Sequence, residues 1–275
     1  MSDAQLFHPE LLLDQVALIT GGRSGIGYAV AQLFLSLGAK VVIASRDEKR
    51  LQKAKEKLAE SGGTIEACAC DIRNPEEIKA LADFISDRFG RLDLLINNAG
   101  GQFPTLSEKL KDKGWDAVIN NNLNGTFYVT RAMANQFFIP QQSGVIVNVI
   151  ANILRGFPGM VHTGAARAGV ENFTKTLAQE WACHQIRINC VAPGIIATSG
   201  LDTYPKQVKT LLEEATRSIP FKRFGESDEV ANAVCFLASQ LSSYTSGTTL
   251  YVDGAQHLNY NNLGLVKAIK MMTKP

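Results

Sequence analysis

Short apolar runs and amphipathic stretches take turns along this chain. Val16-Ala17-Leu18-Ile19 is continuous and apolar, and Lys40–Ala44, Thr64–Cys70, Leu92–Ile96, Val145–Ile150, Arg187–Val191 and Thr249–Val252 are runs of similar length. Such runs predict strands, most of them buried on both faces. Between them, apolar residues recur every three or four positions. Val30, Leu33, Phe34 and Leu37 share one helical face, as do Val170, Phe173, Leu177 and Trp181. Helices are therefore predicted over Asp47–Glu60, Pro75–Phe89, His162–Trp181 and Asp228–Leu237, with a long helical region from Trp115 towards Phe138. Pro75 falls in the first turn of its helix, where a missing N–H does no harm. Repeated strand–helix units predict an α/β fold, a doubly wound parallel sheet with helices on both faces. Ligands in such folds lie at the carboxyl ends of the strands. From Pro193 to about Pro205 the pattern is irregular. No linker interrupts it, so residues 1–275 read as a single domain with a core of about 13–256 and a polar, then basic, tail over 260–275.

Composition narrows the setting more than the fold. The chain has 275 residues, 45% apolar and 20% charged, with a net charge of +2. That balance points to no nucleic-acid partner, and no apolar run approaches the length of a membrane span. Met1-Ser2-Asp3-Ala4 lacks the basic start of a signal peptide, and Thr273-Lys274-Pro275 is not the peroxisomal Ser-Lys-Leu address. The five cysteines (Cys68, Cys70, Cys183, Cys190 and Cys235) show no Cys-x-x-Cys spacing, so neither a disulfide framework nor a metal site is expected. The expected compartment is reducing, most simply the cytoplasm.

Chemistry enters at Thr20-Gly21-Gly22-Arg23-Ser24-Gly25-Ile26-Gly27, between the first strand and the first helix. A strand that turns through glycines into a helix leaves backbone N–H groups converging at the positive end of the helix dipole, a place for a pyrophosphate. Gly21, Arg23, Ser24, Gly25, Ile26 and Gly27 are accordingly candidate cofactor ligands. About twenty positions on, the second strand ends Ile43-Ala44-Ser45-Arg46. An acidic residue there would accept from a free ribose 2′-hydroxyl. Ser45 and Arg46 instead offer a small donor and a cationic fork, and Arg23 adds a second charge, which favours the 2′-phosphate of NADP(H). In the competing arrangement Arg46 is solvated and Asp47 reaches the ribose.

Thr20–Gly27, Asp71-Ile72, Asn97-Asn98-Ala99-Gly100, Asn122-Leu123-Asn124-Gly125-Thr126-Phe127, Pro193-Gly194 through Thr198, and Val252-Asp253-Gly254 together resemble the short-chain dehydrogenase/reductase family, in its order and spacing. The resemblance implies a Rossmann fold with a seven-stranded parallel sheet, a nicotinamide cofactor and a homotetramer. It implies Asp71 and Ile72 against adenine, and Asn98, Ala99 and Gly100 along the cofactor floor. It also implies Ile196 and Thr198, after Pro193 and Gly194, at the nicotinamide end.

The catalytic pattern departs from that family. A serine after the fifth strand and a Tyr-x-x-x-Lys pair are its norm. Here the strand continues Asn148-Val149-Ile150-Ala151-Asn152, Thr163 replaces the tyrosine and Arg167 the lysine, while Asn122 remains. A threonine hydroxyl is far too weak an acid to protonate an alkoxide, so ordinary carbonyl reduction is disfavoured. Reducing a C=C bond conjugated to a thioester needs mainly donors aimed at the enolate oxygen. Gly100-Gly101-Gln102-Phe103, the stretch from Gly156 to Cys183, and Arg187 through Gly194 resemble the peroxisomal trans-2-enoyl-CoA reductase branch. That implies NADPH-dependent reduction of an acyl-CoA thioester substrate. Relatives in that branch have a tyrosine where this chain has Glu171.

Thr163, Arg167 and Asn122 are the leading catalytic candidates, joined by His162 and Tyr204. His162 either donates to the thioester oxygen or caps and packs its helix. Tyr204 either acts as an acid from a lid or is a packed loop residue. Asn152 orients substrate or forms a turn; Glu171 pairs with Arg167 or faces water. Lys109, Lys111 and Lys113 meet coenzyme A phosphates or are solvated. The rival activities are 2,4-dienoyl-CoA reduction, 3-ketoacyl or other carbonyl reduction using Tyr204, and silent NADP(H) binding.

Overall fold

The apolar runs become the parallel strands of one sheet in a computed structural model that describes residues 6–198, 216 and 219–258. The strands are β1 (Val16–Thr20), β2 (Lys40–Ser45), β3 (Ile65–Ala69), β4 (Leu94–Asn97), β5 (Gly144–Val149), β6 (Ile186–Pro193) and β9 (Thr249–Val252). Their order is β3-β2-β1-β4-β5-β6-β9. All five residues of β1 are buried, as an uninterrupted apolar run requires of a central strand covered on both faces.

Helices α1 (Gly25–Ser36), α2 (Glu48–Ala59) and α8 (Ser227–Ala238) cover one face, where Val30, Phe34, Leu51, Val230 and Val234 are buried together. Helices α3 (Pro75–Phe89), α5 (Gly125–Met133) and α7 (Val161–Glu180) cover the other, over Leu81, Ile85, Val129, Phe138 and Leu177. The strand order reverses direction between β1 and β4, which opens a crevice at the carboxyl ends of those strands. No helix among the described residues is long and apolar enough to cross a membrane.

Two stretches differ from the periodicity. The region expected as one long helix runs from α4 (Asp112–Ile119) through α5 to α6 (Ile139–Gln141), but π-helical turns interrupt it at Asn120–Asn124 and Ala134–Phe138. Three consecutive asparagines disfavour the ordinary helix, and the Thr126 hydroxyl donates to the Asn122 carbonyl at 2.9 Å inside the widened turn. In the irregular stretch after Pro193, β7 (Ile196–Ala197) pairs in parallel with β8 (Gly225–Glu226). Tyr204 and the tail over 260–275 lie outside the described residues.

Candidate functional site

The crevice is a cleft of about 570 Å³ lined from the glycine turn, the end of β2 and the end of β4. Gly21 and Gly25 have φ of 70° and 57°, a region that favours glycine. A Cβ on Gly27 would come within 2.6 Å of the Gly21 carbonyl oxygen, so the turn closes only around glycine. Ser24 is the N-cap of α1 but makes no side-chain capping bond, and the first turn holds no acidic residue. Those N–H groups are thus left to a ligand, and their dipole favours an anion. Asn98 anchors the turn. Its amide donates to the carbonyls of Thr20 (3.0 Å) and Gly21 (3.3 Å), while Thr20 Oγ1 accepts from the backbone of Asn98 and Ala99.

Ser45, Arg46 and Arg23 all line the cleft. Neither arginine makes a hydrogen bond or ion pair among the described residues, although the Arg46 charge is felt by the Asp71 carboxylate, so two cations without a bonded partner border one end. Asp47 lines the same end of the cleft, and its carboxylate also accepts the Arg50 N–H at 3.1 Å as the N-cap of α2. Ser24, Ile26, Ile72, Ala99, Gly100 and Thr198 also reach the cleft. Asp71 does not line it. Its carboxyl faces the Arg73 guanidinium, which holds it below the usual carboxylate range. Gly27, Pro193, Gly194 and Ile196 shape the walls from behind: Ile196 is buried, and a Cβ on Gly194 would crowd Asp253 at 2.7 Å.

Asn122, Arg167, His162 and Thr163 do not line the cleft; Asn122 lies behind its Gly100 wall, buried in the π turn next to the lining residue Asn121. Its Oδ1 accepts the Gly101 N–H and its Nδ2 donates to the Gly101 carbonyl, both at 2.9 Å. This two-point clamp fixes the loop that follows β4. Arg167 is buried on α7 with its guanidinium against Gly100, where a Cβ would collide with Nη2. It makes no hydrogen bond or ion pair among the described residues. Burial pushes its pKa down to about 10, so it remains a cation at neutral pH. A buried charge without a counter-ion costs several kcal/mol, which an anionic or strongly dipolar ligand group would offset.

His162 and Thr163 open α7 and are fully buried. His162 Nδ1 accepts the Thr163 backbone N–H at 2.7 Å and lies 3.2 Å from its hydroxyl. The imidazole therefore caps the helix start, and the Thr163 hydroxyl is turned towards it rather than left free. Burial lowers the His162 pKa, which keeps the ring neutral. Phe103 meets the His162 ring edge-on, with centroids 4.6 Å apart.

Several candidates are engaged away from the cleft. Asn152 donates to Asp253 at 2.9 Å, and Glu171 pairs with Lys175 at 2.9 Å and accepts from Thr249, not from Arg167. Lys109, Lys111 and Lys113 are exposed. Two features escaped the sequence reading. Asn97 and Asn148 are register partners on β4 and β5, and a buried chain runs from Thr130 through both to Thr174, each link 2.8 Å. A polar residue just after one apolar run and another inside the next were the available signal. Asp253 and His257 form the second, a 3.0 Å pair beside Tyr251.

A family model described as Enoyl-(Acyl carrier protein) reductase matches residues 21–257. The chain is 41% identical over 262 residues to a peroxisomal 2,4-dienoyl-CoA reductase of Pongo abelii, covering 94% of this chain and 88% of the relative. It is 38% identical over 241 residues to the 3-oxoacyl-acyl-carrier-protein reductase FabG of Thermotoga maritima, covering 87% and 96%. Among solved structures, a citronellol catabolism dehydrogenase of Pseudomonas aeruginosa PAO1 superposes with a TM-score of 0.82 at 40% identity, over 92% of this chain and 98% of that one.

Proposed function

Because the chain belongs to the short-chain dehydrogenase/reductase family, a family of nicotinamide-dependent oxidoreductases, we propose that it reduces trans-2-enoyl-CoA to acyl-CoA with NADPH. The observation that carries this reading is Arg167. A buried cation without a counter-ion stands where a proton-shuttling lysine would be, one helical turn from a threonine whose hydroxyl faces His162. Such a site stabilises negative charge without delivering a proton to the same atom.

The residues divide the work by position. The free N–H groups at the start of α1 hold the pyrophosphate, and Arg23, Ser45 and Arg46 hold the 2′-phosphate. Gly100 leaves room for the Arg167 guanidinium, which would hold the ribose hydroxyls of a bound cofactor and supply fixed positive charge to the thioester. NADPH supplies the hydride when bound. As the β-carbon accepts it, charge collects on the thioester oxygen, and each fixed donor aimed at that oxygen would lower the barrier by about 3 kcal/mol. Guanidinium does not give up its proton here, so the α-carbon is protonated in a later step from elsewhere.

A second reading is 2,4-dienoyl-CoA reduction, favoured by the name of the 41% identical relative. The oxygen to be stabilised is the same; the hydride enters one vinyl unit further out. NADPH absorbance followed with trans-2-enoyl-CoA, 2,4-dienoyl-CoA and 3-ketoacyl-CoA separates these readings. The highest kcat/KM is expected on trans-2-enoyl-CoA, and a higher value on 2,4-dienoyl-CoA installs the second reading. Turnover of 3-ketoacyl-CoA alone, or NADPH binding without turnover, overturns both. The reading carries a homotetramer and a cytoplasmic site of action, to be measured by light scattering and by fractionation.

A further inference from the structure

His162 carries a polar atom for which the fold provides no partner. Nδ1 accepts the Thr163 N–H at 2.7 Å, and with that bond made the neutral ring carries its proton on Nε2, while the Met160 carbonyl also acts on the ring. Nε2 is buried and has no hydrogen-bond partner among the described residues. An unpaired buried donor costs about 1–3 kcal/mol, and folded proteins leave few of them.

The Phe103 ring lies across His162, at 4.6 Å and 72°. Phe103 is itself 40% exposed, in a segment without regular structure. That segment is pinned on either side. Gly101 is clamped by Asn122, and the Thr105 N–H donates to the Gly159 carbonyl at 2.8 Å. The far edge of the ring rests over α4 at Gly114, where a Cβ would come within 2.8 Å of Cζ. With both flanks held, the ring leaves its place by side-chain rotation while the backbone stays.

We propose that His162 Nε2–H is a hydrogen-bond donor to the thioester oxygen of the substrate, and that Phe103 is the cover the substrate displaces. The inference rests on the thioester-reductase reading. When the β-carbon gains a hydride, the C=C π pair shifts to the α-carbon–carbonyl bond. The carbonyl π pair moves onto oxygen, where Nε2–H holds it. When the enolate collapses, the α-carbon takes a proton from water and the carbonyl re-forms. His162 keeps its proton throughout, so it needs no pKa near neutrality.

Two substitutions separate donation from capping. His162→Asn retains an acceptor for the Thr163 N–H but has nothing at the Nε2 position; His162→Gln reverses this. Expected are about a 100-fold loss of kcat in His162→Asn with an unchanged melting temperature and NADPH affinity, and partial rescue in His162→Gln. Phe103→Ala lowers KM for the enoyl-CoA and leaves kcat in place. In the wild type, the Nε2–H proton resonance moves downfield when saturated acyl-CoA binds. Wild-type kcat in His162→Asn, or losses in both variants that track a lowered melting temperature, overturns the inference alone. A wild-type enzyme that turns over neither enoyl-CoA nor dienoyl-CoA overturns the functional reading, and this inference with it.

Discussion

The guanidinium of Arg167 lies where it does because residue 100 has no side chain. Gly100→Ala puts a methyl group into Nη2, and the displaced cation then costs about 1–3 kcal/mol. Gly100→Ala and Arg167→Ala are both expected to weaken NADPH binding and turnover together. Fluorescence titration with steady-state kinetics checks this, and unchanged constants in Arg167→Ala remove the residue from the site. At the end of β2, Ser45→Asp adds a carboxylate beside Arg46 and should shift preference towards NADH. The ratio of kcat/KM for the two cofactors reads the shift, and an unmoved ratio places the 2′-phosphate elsewhere. The sequence pointed to the glycines through the strand–turn–helix pattern, and to Arg167 and Asn122 through positions that the family resemblance marks. The cap was one of two roles open to His162, while the Glu171–Lys175 pair and the Asn97–Asn148 contact were not legible. They depend on side-chain rotamers and on the register between strands, which spacing along the chain does not specify.

Element boundaries followed the apolar pattern to within two residues for most strands and helices. Pro75–Phe89 and Thr249–Val252 coincide with it. The pattern did not reveal the π turns, since one inserted residue barely alters a helical stripe, yet one of them carries Asn122. Helix α8 has an electrostatic start that gives a pH prediction. Glu229 accepts from the Arg223 guanidinium and from the Glu226 N–H, and these bonds lower its pKa from 4.5 to about 2. Because the folded value is the depressed one, the stabilisation is complete above about pH 4.5 and fades as pH falls towards 2. Glu229→Gln is therefore expected to lower the urea midpoint at pH 6 while converging with the wild type below pH 3. Parallel curves at every pH would mean that Glu229 contributes nothing through its charge.

For the molecule as a whole, the alternation of strand and helix was sufficient to read the class of fold, and the place of the cleft followed from it. Right-handed crossovers allow few orders for such units, and the observed reversal between β1 and β4 is where a dinucleotide crevice belongs. Less legible was how the loops meet above the sheet. Thr105 with Gly159, and Asn152 with Asp253, bring together segments far apart in the chain. The central claim is that hydride goes to the β-carbon of a thioester, and the position of a label tests it most directly. With NADPH deuterated at the transferring position and trans-2-enoyl-CoA as substrate, mass spectrometry and NMR should find deuterium on the β-carbon of a saturated acyl-CoA. No label in the acyl chain, together with deuterium on a carbinol carbon when 3-ketoacyl-CoA is supplied, would contradict the account.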